Sequence, residues 1–591
     1  MNITSPVCLQ VTNKFPATSP IVNFAIEQLT HYINEIFKEE INQTTVIIPV
    51  ELSNKPTKPL RHDGYCVCIE DNAITLSSSE ERGILYGVYE LLKLIGCRFT
   101  YPQKSLHKIP HLKQFDLENQ TIVKNPLIEL RGLCLYNTTK ETLNETLDMI
   151  DYMGKNGYNL ILTSVNRLDD AVNQNHAILW NEIATEIESE LIKRGIVIDM
   201  SEHSTDYFFS REKWYQLHPE WFSMIDGKRS PLQICYSNQD AIEEYSKSFV
   251  EYVKENHNFQ IIGVWPLDGG GYCECEKCKD PLALLNANTY IANKINEVRP
   301  DLTVEFLAYT PQSFSRPKEN LPKNMSALVC NVKDIVAYEW GIKAKNSGGA
   351  FYFDYHTGDN YRFRANLWIN PFYCRDMVNT FSAYGYRGIV SLYLPITCWW
   401  QASLNYYYLS RCYYEPTADI NDITLDLASD LFGESKANQM RDIMIKLFQQ
   451  LQDQTLWSRM PHKHDYFAEH ITDREKAVDE IHLQRFEQIY HKLLTMFSAV
   501  DTSTFSEFEL QQFSLLQDYV KLQSIYFKTI DQYDAKTDTE QKVEPYFNAL
   551  ALLEEKYGQI FITEEYARWR IVGRDNICNP KNANEYQPKN D

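Results

Sequence analysis

Three cysteines spaced C-x-C-x-x-C, Cys273, Cys275 and Cys278, follow an aspartate and three glycines in WPLDGGGYCECEKCKD, residues 265–280. Two kinds of chemistry meet there. CxxC turns supply soft ligands for tetrahedral Zn²⁺, which wants four. Only three are local, so a fourth must come from elsewhere, and Cys235 in LQICYSN is the candidate. The set Cys235, Cys273, Cys275 and Cys278 is therefore either a structural zinc site or a group of buried thiols bracing the loop. Asp268 has two readings as well. Aspartate before glycine forms turns, and a carboxylate placed beside a substrate transfers protons or stabilises positive charge.

The elements decide which reading an acid deserves. From about residue 126 apolar runs alternate with helical periods: ELRGLCLY, NLILTSV, IVIDMS, FQIIGVWPLD, TVEFLAY, SALVCNV, GAFYFDY and RGIVSLYLP. Continuous apolar strands are those covered on both faces. Eight strand–helix units predict a (β/α)8 TIM barrel over 126–417, whose chemistry gathers at the carboxyl ends of the strands. Before it, 1–118 predicts a small α/β domain. Ser19-Pro20 starts a helix there, Asp71-Asn72 turns a hairpin, and Ser78 with Glu81 forms a capping box. Helical periods fill 418–575, with a capping box at Thr472 and Glu475, and 576–591 is a polar tail. The fold class is thus α/β: an α/β N-terminal domain, a TIM barrel and a C-terminal helical region.

Reading outward from the predicted strand ends collects Asp199, Glu202 and His203 after the third, and Trp265 and Asp268 after the fourth. The fifth carries Glu305 and Tyr309. Asp334, Glu339 and Trp340 follow the sixth, Glu339 in a predicted loop. Asp354, Tyr355 and His356 end the seventh, and Trp399-Trp400 lie beyond the eighth. Each has a plain alternative: Glu305 an interior wall group, His203 and His356 structural histidines, Glu339 a solvated acid, and the tryptophan pair half core, half wall. Together, acids and rings on one face suit cleavage of a glycosidic bond. One carboxyl protonates the leaving oxygen, another group stabilises the oxocarbenium-like centre, and rings such as Trp265, Trp340, Trp399 and Trp400 stack on sugar. No HxH or HExxH stands at a strand end, HKH at 462–464 lying in the helical part, and GxxxxGK[ST], GxSxG and GxGxxG are absent. No cofactor is expected for catalysis.

Bulk composition narrows the partners. With 58 basic and 79 acidic residues among 591, the formal net charge is −21, which repels nucleic acid and anionic lipid. No apolar run reaches the roughly 20 residues of a membrane helix. The first residues have no secretory pattern, so a cytoplasmic protein with free or metal-bound thiols is expected. Aromatic content of 13% suits an oligosaccharide or glycan substrate as well as it suits packing. Oligomeric state is not legible.

ERGILYGVYELLKLIGCRFTYP (81–102) resembles the helix and exit of the non-catalytic α/β domain that precedes the barrel in β-hexosaminidases and α-glucuronidases. HPEWFSMIDGKR (218–229), LQICYSN (232–238), LDGGGYCECEKC (267–278) and FDYH (353–356) together resemble the domain-of-unknown-function 4838 family. Some of its relatives are classed as glycoside hydrolase family 163, endo-β-N-acetylglucosaminidases acting on complex N-glycans. The resemblance spans about residues 20–430. It implies a retaining barrel glycosidase for N-acetylhexosamine-containing glycans, assisted by the substrate's own acetamide. On that basis Asp268 is the first catalytic carboxylate, and Glu339 and Asp354 compete for the second role. His203, Tyr309, Tyr355 and His356 bind sugar hydroxyls or the acetamide. Two departures keep a silent carbohydrate-binding protein in play: glycine follows Asp268 where β-hexosaminidases have an Asp-Glu pair, and GIVSLYLPIT lacks an acidic or amide residue near its end.

Overall fold

A computed structural model describes residues 2–4, 7–38, 46–70, 72–165, 178–268, 270–309, 320–330, 334–355, 357, 369–393, 396–415, 417–457, 480–529, 541 and 543–568. The chain divides into two compact units, one of residues 1–354, 376–396 and 410–416, the other of residues 355–375, 397–409 and 417–591.

Eight parallel strands of the first unit close into a barrel. They are β1 (Leu130–Leu135), β2 (Leu160–Thr163), β3 (Val197–Met200), β4 (Ile261–Gly263), β5 (Thr303–Ala308), β6 (Met325–Val329), β7 (Ala350–Asp354) and β8 (Gly388–Tyr393). The order is sequential and β8 pairs with β1, Gly388 opposite Leu130. Every residue of β1, β2, β6, β7 and β8 is buried, as strands between a packed interior and a helical jacket must be. All eight predicted strands are present. Strand β4 keeps only three residues of its apolar run, and Pro266, which has no N–H to donate, lies just beyond it.

Residues ahead of the barrel form a five-stranded sheet in the order Val7–Asn13, Val46–Ser53, Ala73–Ser77, Tyr65–Glu70, Gln120–Lys124. The edge strand 120–124 lies past the expected boundary at residue 118. Helices Pro20–Ile36 and Glu81–Ile95 supply the other half of its core, through Leu29, Ile33, Leu85 and Leu92 among others. Ser19 caps the first, its Oγ accepting from the Val22 N–H at 3.2 Å. The hairpin turns at Asn72, whose φ of +65° asparagine tolerates. The expected Ser78–Glu81 capping box does not form. Ser78 Oγ instead donates to the Gly64 carbonyl at 2.7 Å and accepts from the Glu80 N–H at 3.1 Å. Gly83 permits this, because a Cβ there would sit 2.1 Å from that oxygen.

This sheet domain meets the amino end of the barrel. Asp63, fully buried, accepts from Arg131 of β1 at 2.8 Å, from Asn159 before β2 at 2.8 Å and from Arg82 at 3.2 Å. Burial alone would raise its pKa, but the two guanidinium groups outweigh that and hold the carboxyl below the usual range. Arg82 also donates to the Gly195 carbonyl, just ahead of β3, at 3.0 Å.

The second unit is helical where described, with Ile420–Phe432, Glu434–Trp457, Glu480–Ser498, Glu507–Thr529, Glu544–Tyr557 and Glu564–Arg568. The expected period Phe486, Tyr490, Leu493, Phe497 is its buried face in Glu480–Ser498. The Thr472–Glu475 box and HKH lie outside the described residues.

Candidate functional site

The segment leaving β4 is held at four consecutive carbonyls by four side chains from three places: the turn after β3, the strand Lys228–Ile234 and the helix Ala283–Val298. Asn288 Nδ2 donates to Val264 O, Thr205 Oγ1 to Trp265 O, and Gln233 Nε2 to Leu267 O, each at 2.7 Å. His203 Nδ1 stands 2.7 Å from Pro266 O. Gln233 also accepts from the Leu267 N–H at 3.2 Å and reaches Gly270 O at 3.3 Å. Asp268 sits between these anchors with its side chain 46% exposed. Its loop closes at Gly271, where φ is +82° and a Cβ would meet Leu232 Cβ at 2.6 Å, so only glycine fits.

A carbonyl only accepts, so the Pro266 contact puts the hydrogen of His203 on Nδ1. The other nitrogen, Nε2, then faces Asp268 Oδ1 at 3.9 Å. Trp265, buried, backs the imidazole edge-on with centroids 5.2 Å apart. Next to His203, the buried Glu202 accepts from Tyr136 OH at 2.9 Å, from Cys134 Sγ at 3.6 Å and from the His203 N–H at 3.0 Å. Asp354 ends β7, buried, and accepts from Ser391 Oγ of β8 at 3.3 Å.

Two further acids lie inside the wall beneath this mouth. Asp199 of β3 accepts from Ser201 Oγ. Burial, opposed by that hydrogen bond and reinforced by Glu202, pushes its carboxyl up to about 7. Glu305 of β5 is fully buried, and burial together with Asp199 raises it well above the ordinary carboxylate range. Ser201 and the Trp265 indole N–H, close by, oppose that rise, but neither meets a Glu305 oxygen in good hydrogen-bond geometry. Gly263 of β4, in register with Glu305, makes room: a Cβ there would meet Ser201 Cβ at 2.5 Å. Two like-charged buried groups cannot both ionise cheaply, so this pair retains a proton at neutral pH.

The structure rearranges several expectations. Glu339 is not in a loop but, with Trp340, on the helix Asp334–Lys343. That helix returns along the barrel until Gly341 abuts the Tyr384 carbonyl, in the turn entering the amino end of β8. Glu339 is thereby carried away from the mouth. Trp340 is fully buried against Phe306 of β5, ring centroids 5.6 Å apart, as mortar between helix and wall. Trp265 is likewise a buried support without an open face. Trp399 and Trp400 belong to the second unit and both are buried, Trp400 packing on Tyr519 and Phe561. Tyr355 is half-buried in that unit, and Tyr309 is half-buried just past β5. His356 lies outside the described residues. Unanticipated were Gln233 and Tyr136. Tyr136 directly follows β1 and was readable as a strand-end polar group, whereas nothing in LQICYSN marks Gln233.

The cysteines do come together. Sγ of Cys235 lies 3.5 Å from that of Cys273, 3.8 Å from Cys275 and 3.7 Å from Cys278. All four sulfurs fall within 4.8 Å of one another.

A closed parallel barrel with acids from β3, β4, β5 and β7 defines the class: a TIM-barrel protein with a polar carboxyl end. The chain belongs to the family described as Domain of unknown function (DUF4838), matched over residues 101–444. No curated protein matches its sequence. It is similar in fold to a family GH115 4-O-methyl-α-glucuronidase with specificity for decorated arabinogalactans, at 10% identity and TM-score 0.65, covering 96% of this chain and 78% of that one. It is also similar to a family GH138 enzyme targeting pectin rhamnogalacturonan II, at 12% identity and TM-score 0.58, covering 94% of this chain and 92% of that one.

Proposed function

We propose that the protein is a glycoside hydrolase working at the carboxyl end of the barrel, with Asp268 as one catalytic carboxyl and Asp354 as the candidate for the second. The observation that carries this reading is the four-carbonyl clamp on Val264–Leu267. A plain turn needs no such anchoring, whereas a proton-transferring acid needs a fixed position. The shared fold of two glycan-degrading enzymes supports it by analogy. The finer assignment, an N-acetylhexosamine-containing glycan, rests on the motif resemblance. There the acetamide oxygen attacks the anomeric carbon, the C–O bond breaks, and the leaving oxygen takes a proton from one carboxylic acid. Water then opens the cyclic intermediate and returns a proton to that carboxylate, while the second carboxylate orients the acetamide.

One feature favours a second reading, a silent carbohydrate-binding protein: glycine, not an acid, follows Asp268. Chromogenic glycosides and labelled N-glycans incubated with the wild type and Asp268→Asn separate the two. Hydrolysis that falls by about 10²–10⁴-fold in kcat with KM little changed supports catalysis by Asp268. Binding without turnover on any substrate supports the silent reading.

A further inference from the structure

We infer that Cys235, Cys273, Cys275 and Cys278 bind one structural Zn²⁺, which locks the Asp268 loop onto a neighbouring hairpin. The donor set is four thiols from two separate segments of chain, 38 to 43 residues apart. A tetrahedral ion with Zn–S bonds of about 2.3 Å has sulfur–sulfur edges of about 3.8 Å. The three separations from Cys235, 3.5 to 3.8 Å, match those edges. They are far from the roughly 2.05 Å of a disulfide. Four protein ligands leave no open position, so the ion's part is structural rather than catalytic.

The surroundings are those of a built site. Cys235 and Cys273 are buried, Cys275 and Cys278 half-buried. The Met224 N–H donates to Cys273 Sγ at 3.3 Å, and Ser237 Oγ lies 3.1 to 3.4 Å from three of the sulfurs. Such donors around thiolates spread their charge and orient them. The hairpin of Phe222–Ile225 and Lys228–Ile234 carries Cys235 at its end. It is tied to the loop a second time, by the Glu274 N–H to Met224 O at 2.8 Å and the Asp226 N–H to Glu274 Oε2 at 2.9 Å. Gln233, two residues before Cys235, is the side chain that clamps Leu267 and Gly270 around Asp268. Metal binding and Asp268 placement are thus linked through one short strand.

The test uses the full chain, purified under reducing conditions without chelator from zinc-supplemented medium. Elemental analysis is expected to find one zinc per chain. Exchange with Co²⁺ is expected to give the intense visible bands and near-ultraviolet thiolate charge transfer of a four-coordinate sulfur site. Cys278→Ser should cut zinc content at least tenfold, while Cys8→Ser, an exposed cysteine in the N-terminal sheet, should leave it unchanged. Should Cys278→Ser fail to fold, the wild-type cobalt spectrum still decides. Absence of metal with all four thiols open to a thiol reagent in the native protein overturns the proposal. So does full zinc retention in Cys278→Ser, which would place the ion elsewhere.

Discussion

Asp199 and Glu305 show what burial does to an acid whose neighbours are also acids. A folded-state pKa of about 7 for Asp199, against about 3.9 unfolded, means the native state binds the extra proton. Stability from that source is full below the unfolded value and drains as pH rises through about 7. Asp199→Asn removes the titration, so its denaturation midpoint should decline less than wild type between pH 4 and 8. Equal slopes in the two proteins would show that Asp199 is ionised throughout. Trp340→Ala should cost about 3–5 kcal/mol in chemical denaturation, as emptied aromatic core sites do, with KM unchanged in the surviving folded fraction. A KM effect would return Trp340 to the substrate side. The strand-end acids were legible from sequence because each closes an apolar run. Which tryptophans are mortar was not, since a ring that stacks on sugar and a ring that fills a helix–strand gap have the same spelling.

At the scale of elements, the hairpin, the loop after β4 and the turn after β3 act as one assembly. Gln233→Ala removes three hydrogen bonds around Asp268 while leaving all four thiols in place. If Asp268 acts as proposed, kcat should fall at least tenfold, KM and zinc content should stay near wild type, and Gln233→Glu should restore little, lacking the amide N–H. Unchanged kcat would mean that the clamp does not govern chemistry. Sequence pattern captured the strands and the fourth cysteine, because β-periodicity and ligand counting are local or combinatorial rules. It missed the helix carrying Glu339: DIVAYEWGIK is short and its apolar residues lie all round it, Ile335, Tyr338 and Ile342 being exposed, so no helical period stood out. It also misplaced the Ser78 cap, whose hydroxyl answers to Gly64, a residue distant in sequence.

Across the first unit, charge is buried where the sheet domain meets the barrel. Arg131→Met would strand Asp63 without its main counter-charge. Removing one partner of a buried pair costs about 3–5 kcal/mol, readable as a lowered denaturation midpoint of the whole unit. Asp151 lies in the same region; burial opposes ionisation, but Lys155 and Arg194 hold it down to about 2. Its contribution is present above the unfolded value near 3.9 and is lost as pH falls towards 2. Asp151→Asn should therefore show a shallower acid limb in an unfolding titration; an unaltered limb would mean the pair is already broken. None of this network was visible beforehand, because Asp63, Arg131 and Asn159 meet only after the barrel has closed.

That network lies at the amino end of the strands, whereas Asp268, Glu202 and Asp354 stand at the opposite rim. The two ends are therefore free to drift separately under selection. Changes around Asp63 would be felt as how many molecules survive, and changes around Asp268 as what each survivor does, so new specificities can be tried at the rim without renegotiating the foundation.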